Sequence, residues 1–546
     1  MKQLILFTCY FVLATFSALA QPTFTHQDTL RGSITPERSW WDLTYYHLSV
    51  SVDIPNKSIS GSNLIQYKVL QAYQTLQIEL QEPLRITKVT QDDTELKLTK
   101  DGYSYFIHLT KPQLVNAINE LTVYYEGVPQ ESKNPPWSGG LTWTRDKKGN
   151  DWVVTTCQGI GASIWWPNKD HAYDEPDSML MSFTVDSNLS CIANGKLRSL
   201  QMKKDSPYFT WNWFVSNPIN NYGVNMNIGN YVHFSETYKG LNGDLPCDYY
   251  VLRSNLDKAK NQFRQAPKML EAFEYWFGPY PFYEDGYKLV EVPYLGMEHQ
   301  SSVTYGNGFE NGYLKRDLSG TGWGMKFDFI IVHESGHEWF ANNITHKDVA
   351  DMWIHESFTS YSESLYLDYH FGTEGCNKYV QGIRKNIMND SPVIGTYNVH
   401  QEGSGDMYYK GSNMLHTLRQ LVENDSLWRE VLTGLNKEFY HQTVNTKQVE
   451  DYMSKKTGKD LSAFFNQYLR STSIPTLEYI RNDESLQFRY VNVVKDFDMP
   501  VRIFINGKEE WIFPNKEWNS LNFETQIETF EFDPNFYVEY KGLPDD

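Results

Sequence analysis

Two histidines four residues apart, His333-Glu334-Ser335-Gly336-His337, form an H-E-x-x-H pattern with a glutamate beside the first. Apolar Phe327, Phe329, Ile330, Ile331 and Val332 precede it and Trp339-Phe340 follow, which predicts a buried helix. At ~100° per residue the two imidazoles leave one helix face a turn apart and reach a single ion at ~2.0–2.1 Å. Glu334 points aside, near the metal but off it, where a general base acts on an activated water. Zinc catalysis needs a third protein ligand and one open position. Glu356 supplies the ligand from the next predicted helix, with eighteen residues between it and His337, in the run Trp353-Ile354-His355-Glu356-Ser357-Phe358. Two neutral imidazoles and one carboxylate leave bound zinc net positive, able to lower the pKa of a water toward ~7. A helix with two merely packed or solvated histidines explains the five-residue pattern but not the glutamate placed behind it.

The surrounding chain divides into three periodicities. From about Leu43 to Gly240 the pattern is strand-like: Leu48, Val50, Val52 and Ile54 alternate with polar residues, Asn56-Lys57 turns the chain, and Ile59 to Val69 alternates again. Helical spacing follows, predicting helices over Leu256 to Phe277, Lys326 to Asn342, Trp353 to His370, Gly411 to Leu421 and Lys447 to Thr457, the last with Asn445 and Gln448 as a capping box. After Pro475 strands return, with Asn506-Gly507 as a hairpin turn and further strands over Leu521 to Phe532 and Phe536 to Tyr540. The expected organisation is a leader at 1–20, an N-terminal β domain at 21–240, a mainly helical zinc domain at 241–474 and a β unit at 475–546.

Lys2, the apolar run Leu4 to Phe16 and the small-residue site Ala18-Leu19-Ala20 predict a cleaved signal peptide, and hence a secreted or periplasmic protein. The run is shorter than the ~18 residues of a membrane anchor, and no other stretch is long and apolar enough to span a bilayer. Cys157, Cys191, Cys247 and Cys376 remain after cleavage; their wide spacing excludes a sulfur metal site and leaves one or two disulfides open. A formal net charge of −18 over 546 residues lacks the basic footprint of a nucleic-acid binder.

The zinc pattern resembles the signature of the M1 aminopeptidases, the gluzincin group that includes aminopeptidase N and leukotriene A4 hydrolase. His337-Glu338-Trp339-Phe340-Ala341-Asn342 is similar to the family's H-Q-W-F-G-N, Trp353 to Glu363 to its W-x-N-E-G-F-A-x-Y-x-E, and Tyr408-Tyr409-Lys410-Gly411 to its Y-x-K-G. The resemblance implies a multidomain α+β fold: a saddle-like N-terminal β-sheet domain, a thermolysin-like, mainly α catalytic domain and a small C-terminal β-sandwich. Many members continue into a large helical domain. This chain ends about seventy residues after Pro475, which implies a short form with a more open cleft.

The resemblance also implies roles. Leu295-Gly296-Met297-Glu298-His299 is a variant of G-x-M-E-N, the motif that binds the substrate's free amine, which makes Glu298 the amine anchor with Gly296 and Met297 beside it. Gln158, in Thr156-Cys157-Gln158, is similar to a second amine-side polar residue; an amide there serves either the substrate or buried structural hydrogen bonds. Tyr408 is the expected donor to the oxyanion, and Glu363 the carboxylate that orients a zinc histidine. His355 and Ser357 depart from the family's asparagine and glycine and are expected to reshape the cleft, which Tyr294 is also expected to line.

The expected activity is zinc-dependent hydrolysis of the first peptide bond of peptides with a free amino terminus, with no nucleic-acid partner. Two rivals share the same residues. A metalloendopeptidase would not need Glu298 and would cleave N-acetylated peptides equally; a non-catalytic peptide-binding member would have lost ligands or base, which this chain keeps.

Overall fold

The computed structural model describes residues 23–202, 204 and 206–544. The leader assigned to residues 1–20 lies outside them. Among the described residues no helix is long and apolar enough to cross a membrane.

The alternating N-terminal segments form an eight-stranded sheet built around the hairpin of Trp41–Asp53 and Ser58–Val69. Trp41–Asp53 runs parallel to Ser178–Asp186, and Ser58–Val69 antiparallel to Ile118–Gly127. Its alternation is physical: Tyr46, Leu48, Val50 and Val52 are buried while Ser51 and Asp53 face outward. A four-stranded sheet lies in the same region, and its strand Asp151–Thr156 delivers Cys157 and Gln158 from its end.

The strand Tyr231–Gly240, read from sequence with the N-terminal region, pairs with Gly243–Leu252 in the sheet of the middle region. That five-stranded sheet continues through Tyr287–Glu291 and Val303–Tyr305 to Gly296–Met297. The mismatch has a simple source: alternation identifies a strand but not its partner.

Helices α1 (Phe329–Gly336), α2 (Trp353–Phe371) and α3 (Asp406–Val422) carry the residues singled out above. Two expected helices are interrupted. The one over Leu256 to Phe277 breaks into Leu256–Gln262 and Gln265–Phe277. Pro267 has no N–H for the Phe263 carbonyl, and its ring would collide with that carbonyl in a continuous helix. Phe263 instead turns its ring onto Tyr249 and Tyr305.

The helix expected over Lys326 to Asn342 begins later, at the cap Asp328, whose Oδ1 accepts from Ile330 N at 3.1 Å and Ile331 N at 3.4 Å. It loses helical geometry at Phe340 and Ala341, the latter at φ 153° and ψ −50°. The helix over Thr446–Thr457 has its capping box, with Asn445 and Gln448 bonding reciprocally. The pattern missed Thr373–Ile383, where Gly375 and Gly382 depress helix propensity. Contact requires Gly382, where a Cβ would lie 2.5 Å from Ser319 O, while a Cβ on Gly375 would be tight at 3.1 Å from the Trp323 ring.

After Pro475 a four-stranded and a three-stranded sheet form, and the Asn506-Gly507 turn has φ of 50° and 74°, both positive as a two-residue hairpin requires. Leu477, Val501 and Phe536 share one hydrophobic core with Leu418 and Tyr468 of the helical region. A second core fills the N-terminal region and takes in Val290, Val292, Tyr294 and Met297 from the middle sheet. The four cysteines are buried and free, so they form no disulfide with one another.

Ala341 sits where the resemblance has glycine, at a φ that costs a side-chain-bearing residue about 1–3 kcal/mol. Ala341→Gly is therefore expected to raise stability by about 1 kcal/mol after the entropy of the unfolded glycine is subtracted. Denaturant titration measures it, and a lower midpoint would show that Ala341 carries no strain.

Candidate metal centre and substrate cleft

Helix α1 is buried between the middle sheet and α2, and its capping aspartate is itself held by Tyr305 Oη at 2.7 Å and Gln262 Nε2 at 2.8 Å. This fixes the start of the helix and so the direction of its histidine face. His333 Nε2 and His337 Nε2 lie 3.6 and 3.4 Å from Glu356 Oε2, which projects from the first turn of α2. Ligands of a tetrahedral ion with ~2.0–2.1 Å bonds stand about 3.4 Å apart, which both imidazole-to-carboxylate distances match, and the three donor atoms all lie within 4.8 Å of one another.

The outer ring nitrogens are both committed. His333 Nδ1 donates to Glu363 Oε1 at 2.8 Å, and Tyr379 Oη donates to the other oxygen of Glu363 at 2.5 Å. His337 Nδ1 donates to the Phe340 carbonyl at 3.0 Å, with Thr359 Oγ1 at 3.1 Å. That carbonyl is available because the chain leaves helical geometry at Phe340 and Ala341. With protons placed on Nδ1, both Nε2 lone pairs face Glu356. Glu356 Oε2 is buried without a hydrogen-bond partner. A buried carboxylate oxygen so placed, between two imidazole acceptors, has the chemistry of a metal ligand.

The charges of these side chains follow from crowding. Burial raises Glu356, but His337 and His333 outweigh it and hold the carboxyl far below the usual range. Burial would lower His337, yet Glu356 and Glu298 carry it up to about 9. Burial lifts the Glu334 carboxyl to about 7 against the pull of His333. A metal ion bound there would compete with the two imidazolium protons for the same lone pairs.

These groups line a cleft of about 550 Å³. Glu298 is 1% exposed, so its carboxylate is a buried group rather than a surface one. It accepts from Gln158 Nε2 at 2.6 Å, and the same amide donates to Glu356 Oε1 at 3.3 Å. Gln158 thus ties the expected amine anchor to the third ligand, across from the N-terminal sheet. Gly296 lines the cleft because a Cβ there would meet Ile330 Cγ2 at 2.6 Å and Glu334 Cγ at 3.2 Å. Met297 does not line it. Extended backbone alternates sides, so Gly296 and Glu298 face the cleft while Met297 enters the N-terminal core.

Tyr408, at the start of α3, stacks on His333 with ring centroids 6.1 Å apart. Three expectations are corrected. Tyr294 is a core residue whose Oη bonds Thr304 Oγ1 at 3.1 Å and Thr155 O at 3.3 Å. His355 lies behind the site, with Nε2 accepting from the His346 amide at 2.9 Å, because its helix position faces away from that of Glu356. Ser357 also lies behind, donating to the Met407 carbonyl at 2.7 Å. Its Oγ would stand 1.9 Å from a Cβ on Gly411, so the glycine lets α2 and α3 close and sets Tyr408 over the histidines. The cleft also takes in Trp137, Tyr313, Phe329 and Glu402, which lie on loops or a helix start and carry no periodic signal of a site.

If Glu363 orients His333, Glu363→Ala weakens zinc binding about 10–100-fold while the fold survives. Competition with a chromogenic chelator reads the affinity; an unchanged constant would assign Glu363 a packing role only.

Residues 262–468 match the peptidase family M1 domain. A probable aminopeptidase 1 of Sulfurisphaera tokodaii is 22% identical over 422 residues, covering 72% of this chain and 51% of that protein. Aminopeptidase N of Lactococcus lactis is 21% identical over 526 residues, covering 90% and 57%. The chain spans about half the length of these curated relatives. Among solved structures, an M1 zinc metallopeptidase of Deinococcus radiodurans, in a mutant form bound to a Tyr-Ser-Ala substrate, is similar with a TM-score of 0.67 at 17% identity, covering 81% of this chain and 98% of that one. The chain carries a peptidase family M1 domain, within the fold of the M1 zinc metallopeptidases.

Proposed function

We propose that the protein is a zinc-dependent aminopeptidase, and the observation that carries the reading is the buried Glu298 carboxylate held by Gln158 beside the three converging donor atoms. An α-ammonium needs an anion in a desolvated place, and Glu298 offers one within the cleft. The relatives named as aminopeptidases, and the neighbour solved with a tripeptide, support the same substrate class.

His333, His337 and Glu356 would hold a zinc ion, which when bound would supply Lewis acidity for the carbonyl and the water. The remaining work belongs to side chains. Glu298 binds the substrate ammonium, and Gln158, its N–H groups spent on Glu298 and Glu356, turns its carbonyl oxygen to the same amine. This anchors the first peptide bond beside Glu334. Glu334 accepts a proton from the attacking water and passes it to the leaving nitrogen, general base turned general acid. Tyr408 donates its O–H to the carbonyl oxygen as negative charge develops there. Glu363 and the Phe340 carbonyl keep both histidine tautomers fixed through the cycle.

Glu334→Gln is expected to lose about 10²–10⁴-fold in kcat on aminoacyl-coumarin substrates with zinc still bound. Full retained activity would sink this mechanism. N-acetylation of the substrate is expected to abolish turnover; equal cleavage of free and acetylated peptides would instead assign a metalloendopeptidase. We further propose export, from residues 1–20 alone: protein recovered from its native host should begin at Gln21, and a mature chain beginning at Met1 would refute this.

A further inference from the structure

The cleft has two distinct ends. One holds the amine anchor, Glu298 with Gln158. Beyond His333 the other is walled by aromatic rings: Phe329 stacks on His333 at 5.0 Å between centroids, and Tyr313 meets Phe329 edge-on at 5.3 Å. On the mechanism proposed above the substrate amine sits at the Glu298 and Gln158 end and the scissile bond beside His333, so the rest of the peptide would lead toward those rings and the first side chain would stay at the end where Gln158 and Gly159 line the cleft.

Two groups that the mechanism leaves unused line the same cleft. Glu402 lies in the loop before α3, two residues after His400, whose Nε2 donates to the Gly159 carbonyl at 2.6 Å and clamps the loop there. Its carboxylate lines the cleft, is exposed to it, and has no hydrogen-bond or ion-pair partner among the described residues. Trp137 reaches the same cleft from the N-terminal region and is 65% exposed. Its position is set two residues on, where Gly139 packs so closely that a Cβ would lie 2.1 Å from Ile160 Cγ2 and 3.0 Å from Thr156 O. Among the described residues no lysine or arginine lines the cleft.

An apolar first side chain would cover Glu402 and leave its carboxylate desolvated without a partner. A guanidinium or ammonium pairs with the carboxylate and lies on the indole face. The geometry points to Glu402 and Trp137 as the residues that select the first side chain, favouring peptides that begin with arginine or lysine. This rests on the aminopeptidase reading above.

The zinc-loaded protein and its Glu402→Gln, Glu402→Arg and Trp137→Ala variants are assayed on arginyl-, lysyl-, leucyl- and glutamyl-coumarin amides. The unaltered protein is expected to prefer the arginyl and lysyl substrates. In Glu402→Gln the arginyl-to-leucyl ratio of kcat/KM falls about tenfold, mainly through KM, the loss of one charge-assisted pair. Trp137→Ala lowers that ratio about threefold, as loss of a partly exposed cation–π contact does. Glu402→Arg raises the glutamyl rate relative to the leucyl rate, a gain that misfolding cannot produce. An unchanged ratio in Glu402→Gln, or a preference of the unaltered protein for leucine, overturns the inference alone. Absence of turnover on every free-amine substrate, or equal turnover of N-acetylated ones, overturns the aminopeptidase reading and this inference with it.

Discussion

Burying two imidazoles with their Nε2 atoms 3.4–3.6 Å from one carboxylate oxygen is the constraint that organises the rest of the molecule. Such groups are expensive to remove from water unless each is oriented and neutralised. Helix α1 answers half of the requirement by putting His333 and His337 on one face, and its geometry must then fail at the right place. Continuing the helix through Phe340 would tie up the carbonyl that holds His337 Nδ1; the departure at Phe340 and Ala341 frees it. Helix α2 answers the other half, with Glu356 in its first turn and Glu363 two turns on, so one helix supplies both a ligand and the carboxylate that aims another ligand.

The proposed function adds a second requirement, an amine anchor at a fixed distance from those atoms, and the residues that would meet it lie across a boundary between two cores. Met297 packs into the N-terminal core while Gly296 and Glu298 turn to the cleft. Gln158, at the end of an N-terminal strand, bonds Glu298 and Glu356 together. A relative shift of the two regions would therefore change the spacing between anchor and ligands, which ties catalytic geometry to packing of Val290, Val292 and Met297 far from any chemistry.

Close approach without side chains recurs where the site is assembled. Gly296 admits α1 to the strand, and Gly411 admits Ser357 between α2 and α3, bringing Tyr408 over His333. In the second case a serine stands where the resemblance has glycine, and its hydroxyl is spent on the Met407 carbonyl rather than on substrate. Sequence departures beside a catalytic ligand thus act here on packing, because the helix face they occupy points away from the cleft.

The amino-acid sequence by itself determined the local features. Helical spacing puts His333 and His337 on one face, strand alternation buries Tyr46 and Leu48, Asn445 with Gln448 caps its helix, and Asn506-Gly507 turns its hairpin; each is set by backbone geometry within a few residues. It also brought forward Glu356, Glu298, Gln158, Tyr408 and Glu363 through motif resemblance, without saying how they meet. Tertiary structure decided what depends on distant partners: that Tyr231–Gly240 joins the middle sheet, that Tyr294 and Met297 are core, that His355 and Ser357 lie behind the site, and that Trp137 and Glu402 share the cleft with Glu298. No local pattern encodes these, because Trp137 and Glu402 are hundreds of residues apart and line one cleft only when both regions pack around it.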